Sequence, residues 1–127
     1  MRYTIAVDFD GVLHSYTSPW VAPHIIPGPP VAGAIWWLWL TLQHFDVVIH
    51  STRCQTWRGR RAVRAWLRKH AKAKGLWREE TKRGLEDVKL SYSKPPALVY
   101  LDDRALRFEG KFPSVDEIHR LRPWNKP

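Results

Sequence analysis

Cysteine and acidic side chains are scarce in this 127-residue chain, and long apolar runs are missing. Cys54 is the only cysteine, so an internal disulfide is excluded and a reducing, cytoplasmic compartment is expected. The apolar run 34–42 is shorter than the ~20 residues that cross a bilayer. Met1 and Arg2 lead directly into a predicted strand, so we expect no signal peptide. The 44% hydrophobic content predicts one folded domain over residues 1–127.

The shortage of acidic residues leaves a strong excess of positive charge. The chain has 21 lysines and arginines against 12 aspartates and glutamates, a formal net charge of +9. Such a surface favours polyanions, and nucleic acid or nucleotides are the obvious candidates. Charge alone carries no specificity, so a solvated basic helix without a partner is an equally good interpretation.

Two carboxylates follow the first apolar run, at the point where the predicted strand ends. Residues 4–9 alternate in the manner of a strand that is buried on both faces, and Asp8 and Asp10 come at its carboxyl end. Residues two apart share a side of a strand, so both carboxylates can face one pocket. Gly11 permits a sharp exit. An ordinary turn would use the same residue types, so this stretch alone does not define a site.

Further apolar runs predict three more strands. Residues 46–50 and 97–101 are β-branched and aromatic runs that also end in polar residues, and 88–92 alternates as an edge strand would. Residues 106–108 are predicted to form a short final strand. Helical segments between the first strands indicate an α/β, Rossmann-like domain with a central parallel sheet flanked by helices.

Three helices are predicted from periodicity and capping. The first begins at Pro30 and has Val31, Ile35 and Leu38 on its inner face. The second is a basic amphipathic helix over 58–74, and the third covers 115–121 with Ser114 as its N-cap and Glu117 completing a capping box. Residues 75–84 are interpreted as a connector in which Leu76 and Trp77 contact the core, and Trp124 is expected to pack back on the body.

The loop His14–Pro30 is rich in proline and follows the two carboxylates directly. Proline at this density excludes a central strand or a helix interior. Because long loops in small domains are often functional, this loop is a candidate minimal lid over the pocket, with the connector 75–87 as the alternative. Its side chains either contact a substrate, with Trp20 stacking on a base, or simply anchor the loop by packing. Two histidines, His14 and His24, make a poor zinc site without further ligands.

The ends of parallel strands meet at one edge of a sheet, which should gather Asp8, Asp10, Ser51, Lys94, Asp102 and Asp103. Four carboxylates together repel one another and need a cation, and hard oxygen ligands suit Mg²⁺. A metal with a nearby hydroxyl and amine is a site for phosphate chemistry. Cys54 lacks an evident histidine partner and is not assigned as a nucleophile.

At this point the order of motifs suggests a family. The set Asp8-Phe9-Asp10-Gly11-Val12, Ser51-Thr52-Arg53, Lys94-Pro95 and Asp102-Asp103 resembles the four motifs of the haloacid dehalogenase (HAD) superfamily. The resemblance covers nearly the whole chain. It is similar to small, cap-poor bacterial or phage HAD phosphatases and to the phosphatase domain of polynucleotide kinase-phosphatases.

The resemblance implies a role for each motif. Asp8 would be the nucleophile, and Asp10 would be the general acid and base whose backbone carbonyl also binds Mg²⁺. The implied phosphate-binding residues are Ser51, Thr52, Arg53 and Lys94. Asp103 would be the direct metal ligand with Asp102 in support, beside Asp8 and Asp10. Lys89 is the alternative to Lys94, and Arg53 either binds phosphate or pairs with a carboxylate.

The implied activity is Mg²⁺-dependent hydrolysis of a phosphomonoester through an aspartyl-phosphate. An acid at Asp10 fits this reaction, because a leaving alkoxide must be protonated. The lack of a large cap is compatible with a bulky substrate, such as a nucleotide or a nucleic-acid phosphate end. Phosphate transfer to another acceptor stays open. The alternative from another class is a non-catalytic nucleic-acid-binding protein on a HAD scaffold.

Overall fold

The computed structural model describes residues 2–125 as an α/β structure around a four-stranded parallel sheet. The strands are β1 (Thr4–Asp8), β2 (Asp46–His50), β3 (Lys89–Ser91) and β4 (Val99–Leu101), in the spatial order β3-β2-β1-β4. All three strand pairs are parallel. The predicted α/β class with a central parallel sheet is therefore confirmed, and the arrangement is compatible with a Rossmann-like fold.

The two central strands carry the core. Val7 and Ile49 are fully buried, because β1 and β2 each have a neighbouring strand on both sides and side chains of the helices pack against them. β3 lies at one edge, as its alternating pattern predicts. β4 forms the other edge, and its three residues are exposed. The sheet thus places the ends of its two best-buried strands at its centre.

In the described part of the chain, four helices accompany the sheet: α1 (Ala34–Leu42), α2 (Trp57–Ala73), α3 (Lys82–Asp87) and α4 (Val115–Arg120). A short 3-10 turn, Thr52–Gln55, joins β2 to α2. α2 buries Val63, Trp66 and Leu67 and exposes its arginines, as the sequence pattern predicts. Ser114 caps α4 by accepting the Glu117 N–H, and the Glu117 carboxylate accepts from the Ser114 hydroxyl.

Three local predictions are wrong. The first helix begins at Ala34 rather than Pro30, because Gly33 has a left-handed backbone (φ 81°) that a helix excludes. Residues 106–108 form no strand. The connector after α2 ends in the unpredicted short helix α3, which buries Leu85, while Leu76 is buried and Trp77 packs on the core as expected. Within residues 2–125, no helix combines the length and apolar character of a membrane span.

Candidate active site

The carboxyl end of β1 is where the acidic residues converge. Val7 pairs with Leu101 across β1 and β4, so the residues that follow, Asp8 and Asp102, emerge side by side. Asp8, Asp102 and Asp103 each offer a carboxylate oxygen, and these oxygens lie within 4.8 Å of one another. The strand ends therefore bring three of the four predicted metal ligands into one cluster.

Gly11 makes this convergence sterically possible. Its backbone is left-handed (φ +84°), and a Cβ atom there would overlap Oδ2 of Asp103. Asp103 Oδ1 is buried and has no hydrogen-bond partner among the described residues. A buried carboxylate oxygen without a donor is costly unless a cation or water satisfies it. All three donors are carboxylate oxygens, the ligand type that hard divalent cations take.

The electrostatics of Asp8 reflect the same crowding. Burial, reinforced by the hydrogen-bonding contact with Asp103 and the charge of Asp102, raises the pKa of Asp8 from 3.8 to about 8. The Phe9 N–H donates to Asp8 Oδ1 at 2.8 Å, which opposes the shift and fixes the orientation of the carboxyl group. Without a cation, this cluster favours a proton on Asp8.

A cleft of about 360 Å³ opens above the cluster. Its floor and walls include Asp8, Asp10, Ser51, Thr52, Asp102 and Arg104. The loop 14–30 contributes Tyr16 and Trp20 to this lining, so part of it borders the cleft, and its role as a lid stays a prediction. The cleft therefore combines acids, a hydroxyl, a guanidinium and two aromatic rings.

Ser51 directly follows β2 and lines the cleft on the side of β1 opposite β4. It is 5% exposed, and its Oγ accepts the Arg53 N–H at 3.2 Å. This bond leaves the Ser51 hydroxyl proton available to an oxygen of a bound ligand. Thr52 follows at the start of the 3-10 turn and also lines the cleft.

The Asp10 carboxylate contacts two buried side chains, Arg53 and His14. The Arg53 Nε donates to both Asp10 oxygens, at 3.0 and 2.9 Å, and His14 Nδ1 lies 2.8 Å from Asp10 Oδ1. Arg53 is 1% exposed and His14 is fully buried. Asp10 thus faces the cleft with its orientation fixed from behind.

Arg53 pairs with a carboxylate, which was one of its two predicted roles. Its Nη1 donates to the backbone carbonyls of Ala22, Pro23 and Ile25, and its guanidinium lies 4.4 Å from the centre of the Trp20 ring. A buried guanidinium with these partners organises the lid loop around Asp10. It is not among the residues that line the cleft, so the predicted phosphate contact of Arg53 finds no support.

His14 is a core residue and not a substrate contact. Its Nε2 accepts the Gly28 N–H at 2.9 Å, which leaves the proton of the neutral ring on Nδ1, facing Asp10. The ring packs against Phe9 and Trp66. His24, the other histidine of the loop, contacts Arg58 at 3.2 Å.

Lys94 does not reach the cleft. Its ammonium lies 4.6 Å from the centre of the Tyr100 ring, and Tyr100 donates its hydroxyl proton to the Pro95 carbonyl. Lys89, the alternative, lines a different hollow beside Asp46 and Asp87. Among the residues described, the cleft takes its guanidinium from Arg104, which sequence reasoning missed although it directly follows Asp103.

Two further features lie outside the carboxylate cluster. Cys54 is buried, and this burial raises the pKa of its thiol, which disfavours the nucleophilic thiolate. Two late residues contact the turn after β1 and the loop that follows it: Trp124 Nε1 donates to the Gly11 carbonyl at 2.6 Å, and Asn125 Nδ2 donates to the Ser15 carbonyl at 2.8 Å. Trp124 contacts the body through this bond while its ring stays 64% exposed.

Comparison with protein-family models, with curated proteins and with solved structures gave no match. The class that the coordinates define is an α/β protein with an all-parallel sheet. Any finer assignment depends on the chemistry of the cleft.

Proposed function

We propose that the chain is a Mg²⁺-dependent phosphomonoester hydrolase of the HAD type. The observation that carries the proposal is the cluster of Asp8, Asp102 and Asp103 at the end of the central strand, opposite Ser51. The motif resemblance supplies the reaction class, and the cleft supplies the donors that the reaction needs. The substrate class that suits the basic chain is a nucleotide or a nucleic-acid phosphate end.

Asp8, Asp102 and Asp103 would hold the Mg²⁺ ion, with the Asp10 backbone carbonyl as a further ligand. The buried, unpartnered oxygen of Asp103 and the raised pKa of Asp8 both indicate a cluster that a cation would stabilise. When bound, the ion neutralises charge on the phosphoryl oxygens.

In the first step, Asp8 attacks phosphorus and forms an aspartyl-phosphate while the bond to the leaving oxygen breaks. Asp10 donates the proton that this oxygen needs. The Phe9 N–H, bonded to Asp8 Oδ1, holds the nucleophile in one orientation. Ser51 donates its hydroxyl proton to a phosphoryl oxygen, and Arg104 takes the charge-neutralising position first assigned to Lys94.

In the second step, Asp10 accepts a proton from water, and this water attacks phosphorus. The aspartyl-phosphate bond breaks, inorganic phosphate leaves and the Asp8 carboxylate is restored. Arg53 and His14 keep Asp10 in place through both proton transfers. The two steps together convert a phosphomonoester and water into an alcohol and phosphate.

The first experiment is hydrolysis of p-nitrophenyl phosphate with and without Mg²⁺. We expect Mg²⁺-dependent turnover that falls about a thousandfold or more in Asp8→Asn. Asp87→Asn is the matched control, because Asp87 is an exposed aspartate at the end of α3, and it should keep wild-type turnover. Folded, Mg²⁺-supplied wild-type protein that is inert toward p-nitrophenyl phosphate, metabolite phosphates and phosphorylated oligonucleotides contradicts the proposal.

A second candidate function is nucleic-acid binding without catalysis. It is favoured by one observation, the absence of any aspartate or glutamate between Asp46 and Glu79. Binding alone needs neither Asp8 nor Asp103. Oligonucleotide affinity that survives Asp8→Ala, in a protein inert to every phosphomonoester, would favour this candidate.

A further inference from the structure

The segment that follows Ser51 exposes many cationic side chains and no acidic ones. Residues 47–78 contain no acidic side chain, and α2 lies within them. α2 buries Val63, Trp66 and Leu67 and exposes Arg58, Arg61, Arg64 and Arg68. In sequence, the cationic surface therefore begins at Arg58, shortly after Ser51, and continues along α2.

An exposed tryptophan lies at the start of this cationic surface. Trp57, the first residue of α2, is 61% exposed, and the Arg61 guanidinium lies 4.8 Å from the centre of its ring. A flat, solvent-facing ring beside a guanidinium is the combination that stacks an unpaired base and neutralises its phosphate. We refer to Trp57, Arg58 and Arg61 as the Trp57 surface.

The Trp57 surface is physically connected to the cleft through the lid loop. Arg58 Nη2 lies 3.2 Å from Nε2 of His24 in that loop. The same loop carries Trp20, which lines the cleft, is 43% exposed and stacks on Arg53. Two exposed tryptophans, each backed by an arginine, thus stand at the cleft and at the start of α2.

We propose that Trp20 and the Trp57 surface form a track for single-stranded nucleic acid whose terminal phosphate enters the cleft. The inference rests on the proposed function, because it needs the cleft to accept a phosphomonoester. A single strand is specified because exposed rings stack only on bases that are unpaired. The phosphates along the strand pair with Arg58 and Arg61.

The test is the affinity for a labelled oligothymidylate with a terminal phosphate, measured by fluorescence anisotropy in Asp8→Asn protein to prevent turnover. Trp57→Ala and Arg61→Glu should each weaken binding about tenfold, and Arg61→Glu should lower the salt slope by about one. Arg68→Glu is the matched control: it makes the same charge change on the same helix, beside Trp77 instead of Trp57. It should weaken binding about twofold or less.

Equal losses in Arg61→Glu and Arg68→Glu would overturn the track and leave only diffuse attraction. Binding of a duplex as tight as that of the single strand would also overturn it. Turnover of p-nitrophenyl phosphate by wild-type protein is measured separately. An inert enzyme with Arg61-dependent binding contradicts the hydrolase, whereas an active enzyme without that dependence contradicts the track.

Discussion

His14 Nδ1 lies 2.8 Å from Asp10 Oδ1, and the Gly28 N–H donates to His14 Nε2 on the other side of the ring. The two bonds use both nitrogens of a fully buried imidazole. They connect the candidate proton donor to the far end of the lid loop. His14 is thus a positioning residue for Asp10.

Two substitutions separate the two bonds of His14. His14→Asn keeps a donor near Asp10 and loses the Gly28 contact, whereas His14→Gln keeps an acceptor for Gly28 and loses the donor to Asp10. Each should lower the free energy of unfolding by about 1–3 kcal/mol. We expect kcat to fall about tenfold or more in His14→Gln and less in His14→Asn. Equal kcat values with a shared loss of stability would show a purely structural role.

Gly11 should be required for full Mg²⁺ affinity. Gly11→Ala adds backbone strain of about 1 kcal/mol and drives a methyl group into Asp103 Oδ2, so Mg²⁺ affinity should fall about tenfold or more by calorimetry. Gly33→Ala is the control, because Gly33 has a similar φ of +81° and open space at its Cβ position. If both variants bind Mg²⁺ like wild type, Asp103 is not a ligand.

The stability of the metal-free protein should fall as pH rises. The pKa of Asp8 is raised from 3.8 to about 8, so between these values the folded state binds more protons than the unfolded state. The free energy of unfolding therefore decreases from about pH 4 to pH 8. Asp8→Asn should flatten this slope in thermal melts with chelator, and Mg²⁺ should stabilise wild type most near pH 8. If the free energy of unfolding depends on pH in the same way in wild type and in Asp8→Asn, the raised pKa of Asp8 is contradicted.

The bond from Trp124 to Gly11 should stabilise the turn that carries the acids. Trp124→Phe keeps an aromatic ring and removes the indole N–H, so the free energy of unfolding should fall by about 1 kcal/mol. Trp36→Phe, at an exposed position on α1, should leave it unchanged in the same denaturant titration. A neutral Trp124→Phe would mean that the bond contributes nothing in solution.

The central strands and the carboxylate cluster could be predicted because they follow from local rules. Buried parallel strands are recognised in a sequence as apolar runs, and the polar residues at their carboxyl ends lie at one edge of the sheet. These two rules were enough to predict that Asp8, Asp102, Asp103 and Ser51 lie at the same edge. The same rule predicted that the loop 14–30 lies near the cleft, because this loop follows Asp10 closely in sequence.

The rest depends on contacts between residues far apart in sequence. Arg53 meets Asp10 across 43 residues, and no local pattern distinguishes a buried guanidinium from a phosphate ligand. Lys94 contacts the Tyr100 ring, and this contact could not be predicted from the position of Lys94 in the motif. The late start of α1 depended on the left-handed backbone of Gly33.

The central claim is that Asp8 carries the phosphoryl group. Borohydride reduces an acyl phosphate to an alcohol, so quenching the enzyme during turnover should convert Asp8 to homoserine, read by peptide mass spectrometry. We predict homoserine at position 8 in wild type, only with Mg²⁺ and substrate, and none in Asp8→Asn. Steady turnover with position 8 unmodified, or modification at Asp10 instead, would contradict the account.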